Sequence, residues 1–339
     1  MTQSLAPDVL VVRFSAIGDI LLITPLLRAI RARHPGARVA VLTKDKYAPL
    51  LSHNPHVSEV LTIAPDEGIR AVAERVRGVR YSHLLDLHGN LRSHALRRLA
   101  PGRWRSYGKR RLERAALIGM RRDIYGPEVP VAERYFEAAR ELDVTPDGGP
   151  PDFFLGEEAD RRAAERIEAA GLGRDRPIVA IAPGAAHATK RWPAEHWVEL
   201  VRRIDDSGAD VAILGGPDDA EVTAGIARVS GTKAASFAGA LGLQETGAVI
   251  RRAEALVSGD TGVMHMATGV GTPVVALFGP TVRQFGFFPY RAPAEVVELA
   301  LPCRPCSAHG TRRCPLGHHR CLRQMLPDRV HAALAKALA

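Results

Sequence analysis

The chain has 339 residues, 46% of them apolar, 24% charged and 5% aromatic, a globular composition that excludes a disordered, collagen-like or disulfide-dense protein. At roughly 100–200 residues per domain the length predicts two domains, each able to bury its own core. The formal charge of +9 is local: residues 66–123 hold 15 of the 46 basic residues and 6 of the 37 acidic ones, which leaves 31 of each sign elsewhere. Such a segment suits a nucleic acid, an anionic membrane or an acidic substrate, or it is a solvated helical face.

Met1 to Pro7 lacks a basic stretch followed by an apolar core, and no run reaches the ~18–20 apolar residues of a membrane span. The expectation is a cytoplasmic protein with peripheral membrane contact. Along the chain, Val9 to Arg13 reads as a strand, Ser15-Ala16-Ile17-Gly18-Asp19 as a turn, and Ile20 to Arg33 as one helix stopped by Pro35-Gly36. Strands at Ala37 to Thr43 and Leu84 to Leu87, with a helix between them, complete the pattern of a parallel α/β sheet. The Arg-rich stretch after Asn90 reads as helices and loops packed on this first sheet. A Pro, Gly and Asp-rich stretch from Thr145 to Phe154 marks a linker. A second α/β series follows, with strands at Ile178 to Ala182, Asp210 to Leu214, Ala255 to Ser258 and Pro273 to Phe278 and helices at 157–170, 193–204, 220–229, 243–251 and 261–269.

Ligands of open α/β sheets gather at the carboxyl ends of strands, and four strand-end loops carry suitable chemistry. Asp19, after the first strand and among apolar neighbours, is a candidate general base or a helix cap. Ala182 to Pro193 is a small-residue loop that ends in Thr189, Lys190 and Arg191, suited to phosphate oxygens or simply a solvated loop. Ser258 to Ala267 offers the amides of Thr261 and Gly262 at a helix start, with Asp260 and His265 beside them, an anion site or a cap with a packed imidazole. Gly215 to Glu221 carries acids that suit ribose hydroxyls or a turn and cap. Three loops of this kind in the second half point to a nucleoside-diphosphate donor.

In their order these motifs resemble glycosyltransferase family 9, the ADP-heptose:lipopolysaccharide heptosyltransferase family. The resemblance rests on Val11 to Asp19 with Thr24-Pro25-Leu26, Asp86-Leu87-His88-Gly89-Asn90-Leu91-Arg92-Ser93, Pro183-Gly184 through Pro193, and Asp260-Thr261-Gly262 with His265, Thr272-Pro273 and Phe278 to Thr281. It implies an α/β GT-B fold of two Rossmann-like domains facing a cleft. Residues 1–150 would bind the acceptor and 151–325 the ADP-sugar, while a C-terminal helix at 326–339 is a candidate to pack back on the first domain. It further implies inverting transfer of heptose to an acidic lipopolysaccharide inner-core or related glycan acceptor, with no cofactor or metal in the chemistry. Asp19 would be the catalytic base, and Thr189, Lys190, Thr261, Gly262 and His265 the diphosphate contacts, supported by Asp260. Asp219 falls where the family has a ribose-binding Glu, with Glu221 as its rival, and Asn90 and Arg92 lie in the acceptor motif.

All four cysteines, Cys303, Cys306, Cys314 and Cys321, fall within 19 residues. Their spacing suits a structural zinc or iron–sulfur site, with reduced thiols or disulfides as the other readings. A nucleic-acid-binding protein would use the basic segment, but only Tyr81, Trp104 and Tyr107 interleave it. A nucleotide-sugar epimerase or dehydrogenase would need Gly-x-Gly-x-x-Gly after the first strand, where Ser-Ala-Ile-Gly-Asp stands. The expected partners are therefore an ADP-sugar, an anionic lipid-linked glycan and the inner-leaflet surface, and no nucleic acid.

Overall fold

The computed structural model describes residues 6–339 in two compact units, one running up to Lys109 and including Val129–Phe154, the other formed by Arg110–Glu128 and Leu155–Ala339. In the first unit β1 (Asp8–Val12) leads into α1 (Ile17–Leu21) and α2 (Thr24–Arg33). The single helix expected here is split because Pro25 has no amide hydrogen to continue the ladder, and Thr24 Oγ1 donates to the Leu21 carbonyl at 2.7 Å. There follow β2 (Arg38–Lys44), β3 (Glu59–Ile63), α3 (Ile69–Arg77), β4 (His83–Asp86), α4 (Leu91–Leu99) and β5 (Trp104–Ser106). The chain then forms α5 (Arg111–Met120) within the second unit and returns with α6 (Val131–Arg134).

All pairings are parallel, in the order β3-β2-β1-β4-β5. β1 is central: Leu10 lies opposite Ala40 on one side and Leu84 on the other, and its continuous apolar run is what burial on both faces demands. β3 and β5 were not expected, since each is a short edge strand with little buried side chain and so little hydrophobic pattern. The expected linker is not loose: Arg28 of α2 pairs with both Asp147 and Asp152 and donates to the Pro150 carbonyl at 3.1 Å. The Asp152 amide donates to Thr24 Oγ1 at 2.7 Å.

The second unit runs α7 (Glu157–Ala169), β6 (Ile178–Ala182), α8 (Ala194–Asp206), β7 (Asp210–Ile213), α9 (Ala220–Ser230), β8 (Ala234–Ser236), α10 (Leu243–Arg251), β9 (Ala255–Gly259), α11 (Gly262–Val270), β10 (Val274–Phe278), β11 (Ala294–Glu298), α12 (Arg320–Arg323) and α13 (Pro327–Ala337). Its parallel sheet has the order β11-β10-β9-β6-β7-β8. Val179, Ile181, Val257 and Leu277 pack with Trp197 and Leu200 of α8 and with Val330 and Leu334 of α13, each fully buried aliphatic side chain contributing roughly 1.5–3 kcal/mol. The C-terminal helix therefore spends its apolar face in the core of the second unit. Placing the Arg-rich stretch wholly on the first sheet is likewise corrected. Leu117 of α5 packs with Tyr125 and Phe285, and Arg121 donates to the Pro305 carbonyl, so residues 110–128 belong with the second unit.

The Arg28 hydrogen bond holds the Asp147 carboxyl down at about 2, from an ordinary 3.8. A carboxyl lowered in this way stabilises the fold above its unfolded value and stops doing so as pH falls through the folded one. Arg28→Met is expected to cost about 1 kcal/mol or less at neutral pH, given the exposure of the pair. Thermal melts of variant and wild type should converge as pH falls from about 4 toward about 2. A difference that persists unchanged at the acid end would refute this role for the strap.

Candidate functional site

In the first unit the carboxyl end of β1 lies between those of β2 and β4, with Val12 opposite Leu42 and Asp86. Here Arg13, only 7% exposed, forms an ion pair with Asp19 of α1. Its Nε donates to the Ser15 carbonyl at 2.9 Å, and it also donates to the Leu87 carbonyl. Asp19 Oδ2 accepts the Ala16 amide at 3.3 Å, so the residue caps its helix while its side chain stays partly exposed. Burial alone would depress the Arg13 cation, but Asp19 together with Tyr135 and Tyr107 holds Arg13 above the ordinary range.

Beside this pair the His88 ring packs against Phe14 at a tilt of 51°, with ring centroids 4.8 Å apart. Burial, then the Arg13 and Lys109 cations, push its imidazole down to about 4, so at neutral pH it is an uncharged ring. Asp86 is buried and fixes the loop after β4, accepting from the His88 and Gly89 amides at 3.0 and 2.8 Å and from Ser93 Oγ at 3.0 Å.

In the second unit the loop after β6 ends in a short 3-10 turn, Ala188–Lys190. Lys190 Nζ lies 2.7 Å from Asp260 Oδ2 and 3.2 Å from the Asp260 carbonyl, and Thr281 Oγ1 donates to the same carboxylate at 2.6 Å. Thr261 is the N-cap of α11, with Gly262 opening the helix and His265 buried in its first turn. A helix start carries amides without intrahelical partners and a partial positive charge, so Lys190 and α11 together are a candidate anion site, with Asp260 paired to Lys190 and itself held by Thr281.

Alongside lies a cavity of about 330 Å³, lined among others by Gly184, Trp192, Pro193, Asp219, Val222 and Thr223. That volume suits a nucleoside. Asp219 Oδ2 accepts the Gly216 amide at 3.0 Å and lies over Gly184, where a Cβ would sit 2.2 Å from it. Glu221 is exposed on α9 and does not line the cavity, which separates it from its rival Asp219. Gly184 and Val222 were not singled out as contacts; the only sequence signal was the Pro-Gly after a strand.

Several expected contacts are engaged elsewhere. Thr189 Oγ1 donates to the Thr311 carbonyl at 3.0 Å and accepts the Thr311 amide at 2.7 Å, so its hydroxyl holds the cysteine-rich segment to the loop. His319 Nε2 reaches the Thr189 carbonyl at 2.9 Å. Gly310, with φ +94°, passes so close that a Cβ would meet His187 Cβ at 2.8 Å. Asn90 caps α4, accepting the Ser93 amide at 2.9 Å and donating to His88 Nε2 at 2.8 Å. Arg92 donates to the Glu67 carbonyl at 2.6 Å. Other cations of the basic segment are paired too: Arg103 and Arg105 with Glu141, and Arg97 with Asp86.

Cys303, Cys306, Cys314 and Cys321 are free thiols, and among the described residues no group of three or more His, Cys, Asp or Glu is placed to hold a metal ion. Burial, then the neighbouring thiols, raise Cys306 and push Cys321 up to about 11, so both are protonated at neutral pH.

Gly184→Ala should drive Asp219 off its seat and weaken ADP binding about tenfold or more by calorimetry. Gly216→Ala, whose Cβ would meet Asp219 at an ordinary 3.8 Å, should bind within about twofold of wild type. Equal affinities for the two variants would remove Asp219 from the site.

A profile of glycosyltransferase family 9 (heptosyltransferase) matches residues 69–316. Lipopolysaccharide heptosyltransferase 2 of Escherichia coli is 28% identical over 340 residues, spanning 95% of this chain and 96% of the relative. Lipopolysaccharide heptosyltransferase 1 of Pseudomonas aeruginosa is 26% identical over 323 residues, spanning 88% and 85%. Among solved structures, the ADP-heptose lipopolysaccharide heptosyltransferase II of E. coli superposes with a TM-score of 0.74 at 26% identity over 98% of each chain. A family 9 glycosyltransferase of Veillonella parvula gives 0.80 at 21% identity over 98% of this chain and 97% of that one. Two parallel, Rossmann-like units of this kind are the GT-B fold, and with the profile spanning most of its length the chain belongs to glycosyltransferase family 9.

Proposed function

We propose that this glycosyltransferase moves heptose from ADP-heptose to an acidic, lipid-linked lipopolysaccharide inner-core acceptor, inverting the anomeric centre and using no metal in the transfer step. The observation that carries the reading is the anion site of Lys190, Asp260 and the α11 N-terminus beside a nucleoside-sized cavity, in a chain of this family. Adenosine would occupy the cavity, with Asp219 at its ribose. The diphosphate would draw Lys190 from Asp260 and take the Thr261 and Gly262 amides.

Asp19 accepts the proton as the acceptor O–H bond breaks and its oxygen bonds to the anomeric carbon from the face opposite the leaving group. The carbon–oxygen bond to ADP breaks, and the electron pair leaves on the diphosphate. Donors fixed on that developing charge lower the barrier without reorganising, and a carboxylate base contributes roughly 10²–10⁴-fold.

The same reading places the enzyme peripherally on the inner face of the cytoplasmic membrane, where a lipid-linked acceptor resides. Among the described residues no helix is long and apolar enough to cross a membrane. Support comes from α5, which buries Leu117 on one face and exposes Leu112 (80%), Met120 (64%) and, just beyond, Ile124 (55%). Exposed Arg111, Arg121 and Arg122 flank these side chains. Apolar side chains edged by cations suit an anionic bilayer surface, where each cation adds about 1 kcal/mol.

Asp19→Asn should keep ADP affinity while turnover falls at least ~10²-fold; Lys190→Ala should instead weaken ADP binding, and the product anomer read by NMR should be inverted. Near-normal turnover in Asp19→Asn would refute the base assignment. Flotation with anionic vesicles should be salt-sensitive and should drop several-fold in the Leu112→Ser, Met120→Ser double variant, while unchanged flotation would refute α5 as the docking element.

A further inference from the structure

Arg13 is a costly residue to bury, and nothing in the packing of β1 requires a cation there: an apolar side chain of similar size would ordinarily hold such a position at no loss of stability. Yet every nitrogen of its guanidinium is committed. Nε donates to the Ser15 carbonyl at 2.9 Å, Nη1 to the Leu87 carbonyl, and Nη2 to Asp19. The Tyr135 ring lies beneath, 5.8 Å from the guanidinium carbon. Ser15 and Leu87 are backbone just beyond β1 and β4, adjacent strands of the sheet. The planar fork is therefore levelled on two rigid strand ends, and its remaining arm points at the carboxylate. Only guanidinium, with donors fixed in one plane, can do this at three points at once.

We propose that Arg13 is a positioning residue, which orients the Asp19 carboxylate for proton acceptance during transfer. The proposal rests on reading Asp19 as the base. A base must meet the acceptor hydroxyl within hydrogen-bond reach and in one orientation. Asp19 sits in a helix of only five residues, which by itself is a weak mount. A carboxylate tied to two strand ends through Arg13 keeps its orientation whatever that short helix does.

The charged and titratable groups around the pair are Tyr135, Tyr107, His88, Lys109 and Asp86. Burial carries Tyr135 well above its ordinary range, and His88 is uncharged above about 4. His88, which Arg13 also pushes down, changes charge at about 4 on the same acid side as a carboxylate, so the profiles are compared in a His88→Gln background, where the acidic limb reports the Asp19–Arg13 pair.

The test compares Arg13→Gln, Arg13→Lys and Asp19→Asn, using kcat against pH with a soluble acceptor and donor KM. Arg13→Gln is expected to lose about 10²-fold in kcat with donor KM within about twofold, and its acidic limb should move to higher pH, because removing the cation favours the neutral carboxyl. Arg13→Lys keeps the charge but not the fork, so its limb should stay in place with kcat about tenfold down. A folded Arg13→Gln with an unmoved limb overturns the proposal. If that variant does not fold, Arg13→Lys decides, and wild-type kcat there overturns it. Asp19→Asn separates the two levels: retained turnover refutes the base reading itself, whereas an inactive Asp19→Asn beside an unmoved Arg13→Gln limb refutes only the role of Arg13.

Discussion

Parallel pairing places every strand's carboxyl end on one edge of its sheet, and the charged groups of the two candidate sites stand on such edges. Arg13, Asp19 and Asp86 follow β1 and β4 in the first sheet, while Lys190 and Asp260 follow β6 and β9 in the second. The central strands can be wholly apolar because helices cover both faces, so polar chemistry is pushed to where the chain leaves the sheet. Helix N-termini start on the same edge, and their amides add positive potential there. The anion site at α11 and the capped carboxylate at α1 are two uses of that geometry.

Charges at these edges are partly or wholly buried, and each is matched. Asp86 gathers amides and a hydroxyl, Asp260 takes Lys190 and Thr281, and Arg13 takes two carbonyls and a carboxylate. Buried ion pairs are a poor route to stability, since desolvation offsets most of the attraction. At these two loop clusters such pairs supply what a preorganised site requires: donors already aimed, with nothing to reorganise when charge develops. The cysteine-rich segment serves the same end from outside, by clasping Thr189 through Thr311 and His319 and steadying the loop that carries Lys190.

The central strands were legible in the sequence, because a strand buried on both faces must be a continuous apolar run. Edge strands β3, β5, β8 and β11 were not, since their side chains are half exposed and leave no period. The break between α1 and α2 was visible only as Pro25, and a proline is compatible with either a kinked helix or a new start. Lys190, Asp260 and the start of α11 stood out because small residues, a cation and a helix cap at strand ends imply an anion. Arg13 did not stand out. As the last residue of an apparent strand it carried no pattern, and its meaning lies in the Ser15 and Leu87 carbonyls and in Asp19, partners 2, 74 and 6 residues away.

The excess charge of residues 66–123 shows the same division. Its amount and place follow from the sequence alone, as do the two α/β series and the loops that carry the chemistry, because composition and hydrophobic period are local properties. Tertiary structure decided which of those cations are occupied by Glu141, Asp86 or a backbone carbonyl, and that α5 exposes Arg111 and Leu112 while its Arg114 lies over Phe285. It decided too that Thr189 bonds Thr311 and that Asp219 rather than Glu221 lines the cavity. Each of these depends on which groups meet in space, and contacts between residues distant along the chain leave no periodic trace in it.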